Sequence, residues 1–114
     1  MQVEMWTYRG EVDPLEDVDL TGFEVEATDG QVGKIVDAAY ELGSSWLVVD
    51  TGPWILGKKV LLPAGTVVSI DPEERKVYVD RTREEIKNAP EHDPSGYADQ
   101  EYRLALADYY ARFY

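Results

Sequence analysis

A chain of 114 residues that is 44% apolar and 11% aromatic has the length and composition of one compact domain. Its 11 Lys+Arg against 23 Asp+Glu leave a net charge of −12, which favours solubility and repels nucleic-acid phosphates and anionic lipid surfaces. The absence of cysteine excludes disulfides, thiolate metal sites and cysteine nucleophiles.

The first residues, MQVEMWTYRGEVD, lack the basic start and long apolar stretch of a signal peptide, and no apolar run approaches the roughly 20 residues that span a bilayer. A cytoplasmic protein without membrane insertion is expected. Residues 1–20 read as an N-terminal arm, with Val3, Met5, Trp6 and Tyr8 among polar neighbours, followed by an acidic linker. From Gly10 to Gly33 the chain carries eight acids and no base. Within Thr21–Ala27 the residues Phe23, Val25 and Ala27 alternate with Glu24 and Glu26, the pattern of a half-buried strand. Asp29-Gly30 signals a hairpin, because glycine accepts positive φ there. The partner strand, Gln31–Glu41, alternates imperfectly, and a bulge or close backbone approach at Gly33 accounts for the slip.

Trp46–Thr51 is apolar on both faces and reads as the central strand, covered on both sides. Thr51-Gly52-Pro53 stops it, since proline has no N–H to give to a ladder. After a knuckle containing Trp54-Ile55-Leu56, Val60–Leu62 forms the next strand and Pro63-Ala64-Gly65 closes it. Thr66–Ile70 and Lys76–Asp80 make a hairpin around Asp71–Arg75, with Asp71 placed to accept from the turn and Pro72 suited to its second position. Thr82-Arg83-Glu84-Glu85 fits a capping box opening a short helix that Pro90 ends. In Tyr97–Tyr114 the residues Tyr102, Leu106, Tyr109, Tyr110 and Phe113 recur at spacings of three and four, an amphipathic helix. About six short strands joined mostly by tight turns point to a small closed or nearly closed barrel, which removes exposed edges.

Three stretches carry a family resemblance: Gly22-Phe23 with Ala27-Thr28-Asp29-Gly30-Gln31-Val32-Gly33-Lys34-Ile35, then Trp46-Leu47-Val48-Val49-Asp50-Thr51-Gly52, then Val60-Leu61-Leu62-Pro63. They resemble the PRC-barrel domain family, the type found in the cytoplasmic domain of the photosynthetic reaction-centre H subunit and the C-terminal domain of a ribosome maturation factor. The resemblance implies a mainly β fold, a small six-stranded PRC-type β-barrel over residues 21–89, to which the residue pattern adds a short helix after the last strand and a C-terminal amphipathic helix within 90–114. It implies a docking and assembly module, often oligomeric, with no shared catalytic residues.

No residue pattern supplies chemistry. His92 stands alone between Glu91 and Asp93 in a proline-flanked linker, where neither a general base nor a metal ligand has rigid neighbours. The acids of Glu11–Asp29 lack the loop spacing that places oxygens around calcium. Arg75, Lys76, Arg81, Arg83 and Lys87 cluster in sequence, but Glu73, Glu74, Asp80, Glu84 and Glu85 nearly cancel them, so nucleic-acid binding is not expected. The aromatics are the candidates for interaction. Trp54, Ile55 and Leu56 either cap a barrel end or meet a partner, and Tyr102, Leu106, Tyr109, Tyr110 and Phe113 pack either on their own barrel or on another chain, as does Trp6. No cofactor, metal or catalytic residue is expected. The reading is a non-enzymatic, stand-alone protein–protein interaction or assembly module that forms a homo-oligomer; the alternative is a β-barrel that binds a small molecule or cofactor.

Overall fold

The computed structural model describes residues 5–8, 19–41, 44–52, 59–90 and 100–113. Six strands form one mixed sheet: β1 (Glu24–Ala27), β2 (Gly30–Glu41), β3 (Ser44–Asp50), β4 (Lys59–Pro63), β5 (Val67–Asp71) and β6 (Lys76–Val79). The helices α1 (Arg83–Lys87) and α2 (Gln100–Ala111) follow. The sheet order is β4-β3-β2-β1-β6-β5. β1–β2, β2–β3, β3–β4 and β5–β6 pair antiparallel, whereas β1 and β6 pair parallel inside the sheet, Val25 opposite Val77.

The expected strands are all present, with local shifts. Between β1 and β2 the turn residues are Thr28 and Asp29, and Gly30 is already in β2 with φ +150°. The slip in β2 resolves into two bulges. Val32 is the extra residue where β2 faces β1, and Val36 is the extra residue where it faces β3. Val32 and Ile35 are therefore both buried despite a spacing of three, and Val36 is left 42% exposed. In the β5–β6 turn, Asp71 Oδ1 accepts from the amides of Glu73 and Glu74 at 3.1 and 3.2 Å, the local bond that aspartate offers a turn.

β3 is covered on both faces, as its composition requires. Leu47 and Val49 belong to the main core with Val25, Ile35, Leu61, Leu62, Val67 and Val77, and Val48 on the opposite face is equally inaccessible. Full burial of each such side chain stabilises by about 1.5–3 kcal/mol.

Of the closed or nearly closed barrel expected from the strand count, the six strands are present, and their sheet curls with a seam between β4 and β5. Flat, six strands would put β4 and β5 about 24 Å apart, at about 4.8 Å per step. Yet only the single 3₁₀ turn Ala64–Thr66 separates them in sequence. Four residue steps from Pro63 to Val67 span at most about 14 Å, so the sheet curls until its edges approach at that corner. No ladder joins β4 to β5 among the described residues. At the corner itself the polar groups are taken: proline has no N–H, the Gly65 N–H is given to the Met5 carbonyl at 2.8 Å, and the buried Thr66 hydroxyl donates to the Pro63 carbonyl at 2.8 Å. The Trp6 carbonyl likewise accepts from Ser45 N–H at 2.8 Å. Met5 and Tyr8 are buried in the same core, so residues 5–8 are part of the wall.

The capping box opens α1 as expected: Glu85 N–H donates to Thr82 Oγ1 at 3.1 Å, and Thr82 N–H donates to Glu85 Oε1 at 2.8 Å. Ile86 is the buried anchor of this helix.

Candidate functional site: the seat of the terminal helix

α2 is built from good helix formers, with Ala105, Ala107 and Ala111 among Leu, Arg, Gln and Glu. Its 12 residues are marginal for an isolated helix in water, so its order depends on what it lies against. At 100° per residue, Leu106 and Tyr110 share one stripe, with Tyr102, Tyr109 and Phe113 beside it, while Glu101, Leu104, Ala105, Asp108, Ala111 and Arg112 face outward. Leu106 and Tyr110 are inaccessible and belong to the core of their own chain. Trp6, Tyr102, Tyr109 and Phe113 pack against that core and stay half-buried. Of the two destinations open to the stripe, its centre takes the chain's own sheet and its flanks keep exposed area. Trp54, Ile55 and Leu56 lie outside the described residues, as does His92.

Directional contacts fix the helix at both ends. The Tyr109 hydroxyl donates to the Glu85 carbonyl at 2.6 Å. That carbonyl is in the last turn of α1, where helix acceptors lack intrahelical donors, so α2 supplies a side-chain cap to α1. The Arg81 guanidinium lies over the Phe113 ring at 4.9 Å while approaching Asp80 at 3.5 Å and Glu85 at 3.6 Å. At the other end, Arg103 of α2 lies over Trp6 of the arm at 4.9 Å. Arg103 and Phe113 are ten residues apart, about 15 Å of helix, so α2 bridges the N-terminal arm and α1. Tyr109 meets Tyr110 and Phe113 edge-on at centroid distances of 5.1 and 5.4 Å.

Burial raises the phenol pKa of Tyr102, and burial, then the Glu85 charge, raises that of Tyr109 against a smaller lowering by Arg112. A tyrosine whose folded pKa lies above its unfolded value of about 10 keeps its proton where the unfolded chain loses it, so its contribution is present below that pH and fades above it. The seat is therefore expected to loosen above about pH 10. Circular dichroism of the helix across an alkaline titration checks this, and the loss should shrink in Tyr102→Phe and Tyr109→Phe.

A second concavity, of about 590 Å³, opens at the start of β2 and the end of β3, lined by Gln31, Gly33, Lys34, Asp50, Thr51 and Arg83 among others. Asp50 Oδ1 accepts from Gly52 N–H at 3.0 Å, and Asp29 Oδ1 accepts from Arg83 N–H at 2.8 Å. The cleft is open and mixed in charge. Of the basic cluster read from the sequence, Arg75 lies over Phe23 at 5.6 Å and Lys76 pairs with Glu26 at 3.7 Å, so both are engaged within the chain. Among the described residues, no group of three or more His, Cys, Asp or Glu is placed to hold a metal ion, and no helix is long and apolar enough to cross a membrane.

Arg81 and Arg103 escape the sequence reading as parts of this site, whereas Met5 and Tyr8 stand out there as apolar residues of the arm. The arginines carried one available signal, since a guanidinium within reach of an aromatic is a common pair. What the sequence does not show of the arm is its main-chain bonding, the Met5 and Trp6 carbonyls accepting from Gly65 and Ser45.

Fold and site define a mainly β module whose two terminal segments meet on one curled sheet. No family model matches the sequence, and no curated protein matches it. Among solved structures it is similar to a protein of Pseudomonas aeruginosa described as a 16S ribosomal RNA processing protein, RimM. The identity is 26% over 61% of this chain and 47% of that one, with a TM-score of 0.49. The chain thus spans about half the length of that protein.

Proposed function

We propose that this chain is a non-enzymatic PRC-barrel-type module for protein–protein interaction and assembly, working in the cytoplasm. The observation that carries the reading is the seat of α2, where Trp6, Tyr109, Tyr110, Arg81 and Arg103 hold a helix to a sheet. These are the residue types that dominate protein interfaces, combining large apolar area with a directional polar tip. The sequence resemblance to PRC-barrels points to the same class. Self-association belongs to the reading: Trp6, Tyr102, Tyr109 and Phe113 remain half-exposed, and Leu104 on the outward face of α2 is 59% exposed.

Sedimentation over a concentration series is the test, combined with affinity capture from the native host. A homodimer or higher closed oligomer is expected, strengthening with salt, because the repulsion between chains of −12 is screened beyond about 8 Å at physiological ionic strength. A monomer at every concentration would remove self-association, and a chain that also captures no partner would remove the interaction reading. The open cleft beside Gly33 supports a second reading, a small-molecule binder, for which saturable binding from a panel of flavins and hydrophobic dyes is the test.

A further inference from the structure

The geometry points to α2 as a self-ligand: it occupies a helix-docking seat that an amphipathic helix of the same pattern, carried by a partner protein, enters by displacing it. This inference rests on the interaction-module reading and names its surface and its partner's chemistry. The seat's components come from outside α2. Trp6 belongs to the arm, the Glu85 carbonyl to α1, and Arg81 to the link between β6 and α1. The seat therefore persists when α2 leaves.

What the seat reads is visible in its occupant. Two large apolar anchors four residues apart, Leu106 and Tyr110, are fully inserted. A phenol three positions after the first anchor donates to Glu85, an aromatic ring seven positions after it lies under Arg81, and a guanidinium three positions before it covers Trp6. This is the spacing by which a helix is recognised in a groove. A 12-residue helix has little order of its own, so docking and helix formation are linked, and release of α2 melts it without requiring the sheet to open. Because α2 belongs to the same chain as its seat, it competes with a partner helix intramolecularly. A partner helix consequently binds with its intrinsic affinity reduced by the fraction of seats that are open. The outcome is a gate: weak partner helices are excluded, and those that fit better than α2 are admitted.

The test uses the full chain and a fluorescent peptide of the sequence Gln100–Phe113. In the L106A/Y110A chain the internal helix loses its anchors while the seat is unaltered, so this chain is expected to bind the peptide at least about tenfold more tightly than the unaltered chain. Tyr109→Phe, which removes only the bond to Glu85, should fall between them, and a peptide carrying both alanines should bind neither. Equal affinity for the two chains, or no binding by an L106A/Y110A chain that keeps its sheet, would overturn the proposal. Loss of the sheet in that variant would make α2 an integral part of the core and would overturn it equally. Capture from the native host fails separately: absence of a partner there with peptide exchange intact refutes the module reading and leaves the seat established.

Discussion

Gly33→Ala is expected to be the most damaging glycine-to-alanine substitution among the described residues. A Cβ built at Gly33 lies 2.0 Å from the Asp50 carbonyl oxygen, 2.8 Å from its carbon and 3.0 Å from Thr51 Cα. All three are backbone atoms of or next to β3, so no rotamer relieves the clash. Relief requires β2 to separate from β3, and the site sits at one end of the ladder that runs from Lys34↔Asp50 to Glu41↔Ser44. Overpacking ordinarily costs about 1–3 kcal/mol, and a clash against backbone belongs at or above the top of that range. Set against a typical total stability of about 5–15 kcal/mol, that is a large fraction. Gly52→Ala is the control: Gly52 has φ +64°, but a Cβ there would meet nothing within 4 Å, so only the left-handed penalty of about 1–2 kcal/mol applies. Denaturant midpoints of the two variants check the claim, and equal midpoints would contradict the close approach.

The contrast between those glycines shows which parts of the fold are legible in sequence. Gly33 announces itself because Val32 and Ile35 cannot share a face of an unbroken strand, and a glycine between them marks the irregularity. The six strands are legible for the same reason, each having alternation or an apolar run bounded by turn chemistry. The parallel pairing of β1 with β6 is not, since it joins residues some fifty positions apart and no local pattern encodes it. The seam between β4 and β5 is hidden likewise: the Met5 and Trp6 carbonyls that meet Gly65 and Ser45 are main-chain groups that every sequence possesses. In α2 the stripe is legible and its destination is not, because Leu106 and Tyr110 would repeat at the same spacing whether they faced their own sheet or a partner. Arg81 and Arg103 read as charges in sequence and act in the fold as lids over Phe113 and Trp6.

Leu47→Ala is expected to cost about 2–5 kcal/mol, and the upper half of that range applies here. The spread in such costs reflects how far the surroundings collapse into the space left behind. Leu47 is fully buried in β3, which is hydrogen-bonded to β2 on one side and β4 on the other, with Ala38 and Leu62 directly opposite. Collapse would require two ladders to bend together, and Ala38 is too small to fill the gap. Tyr110 provides the comparison: it is equally inaccessible and larger, but it sits on a terminal helix held to its seat through side chains. Truncating it frees α2, and the cost to the sheet cannot exceed the docking free energy of that helix. Denaturation followed by a sheet signal should therefore place the Leu47→Ala midpoint well below that of Tyr110→Ala, with unchanged slope for the former. A Leu47→Ala midpoint equal to that of the unaltered chain would refute the central position of β3. A Tyr110→Ala midpoint as low as that of Leu47→Ala would show α2 to be as necessary to the sheet as its own strands.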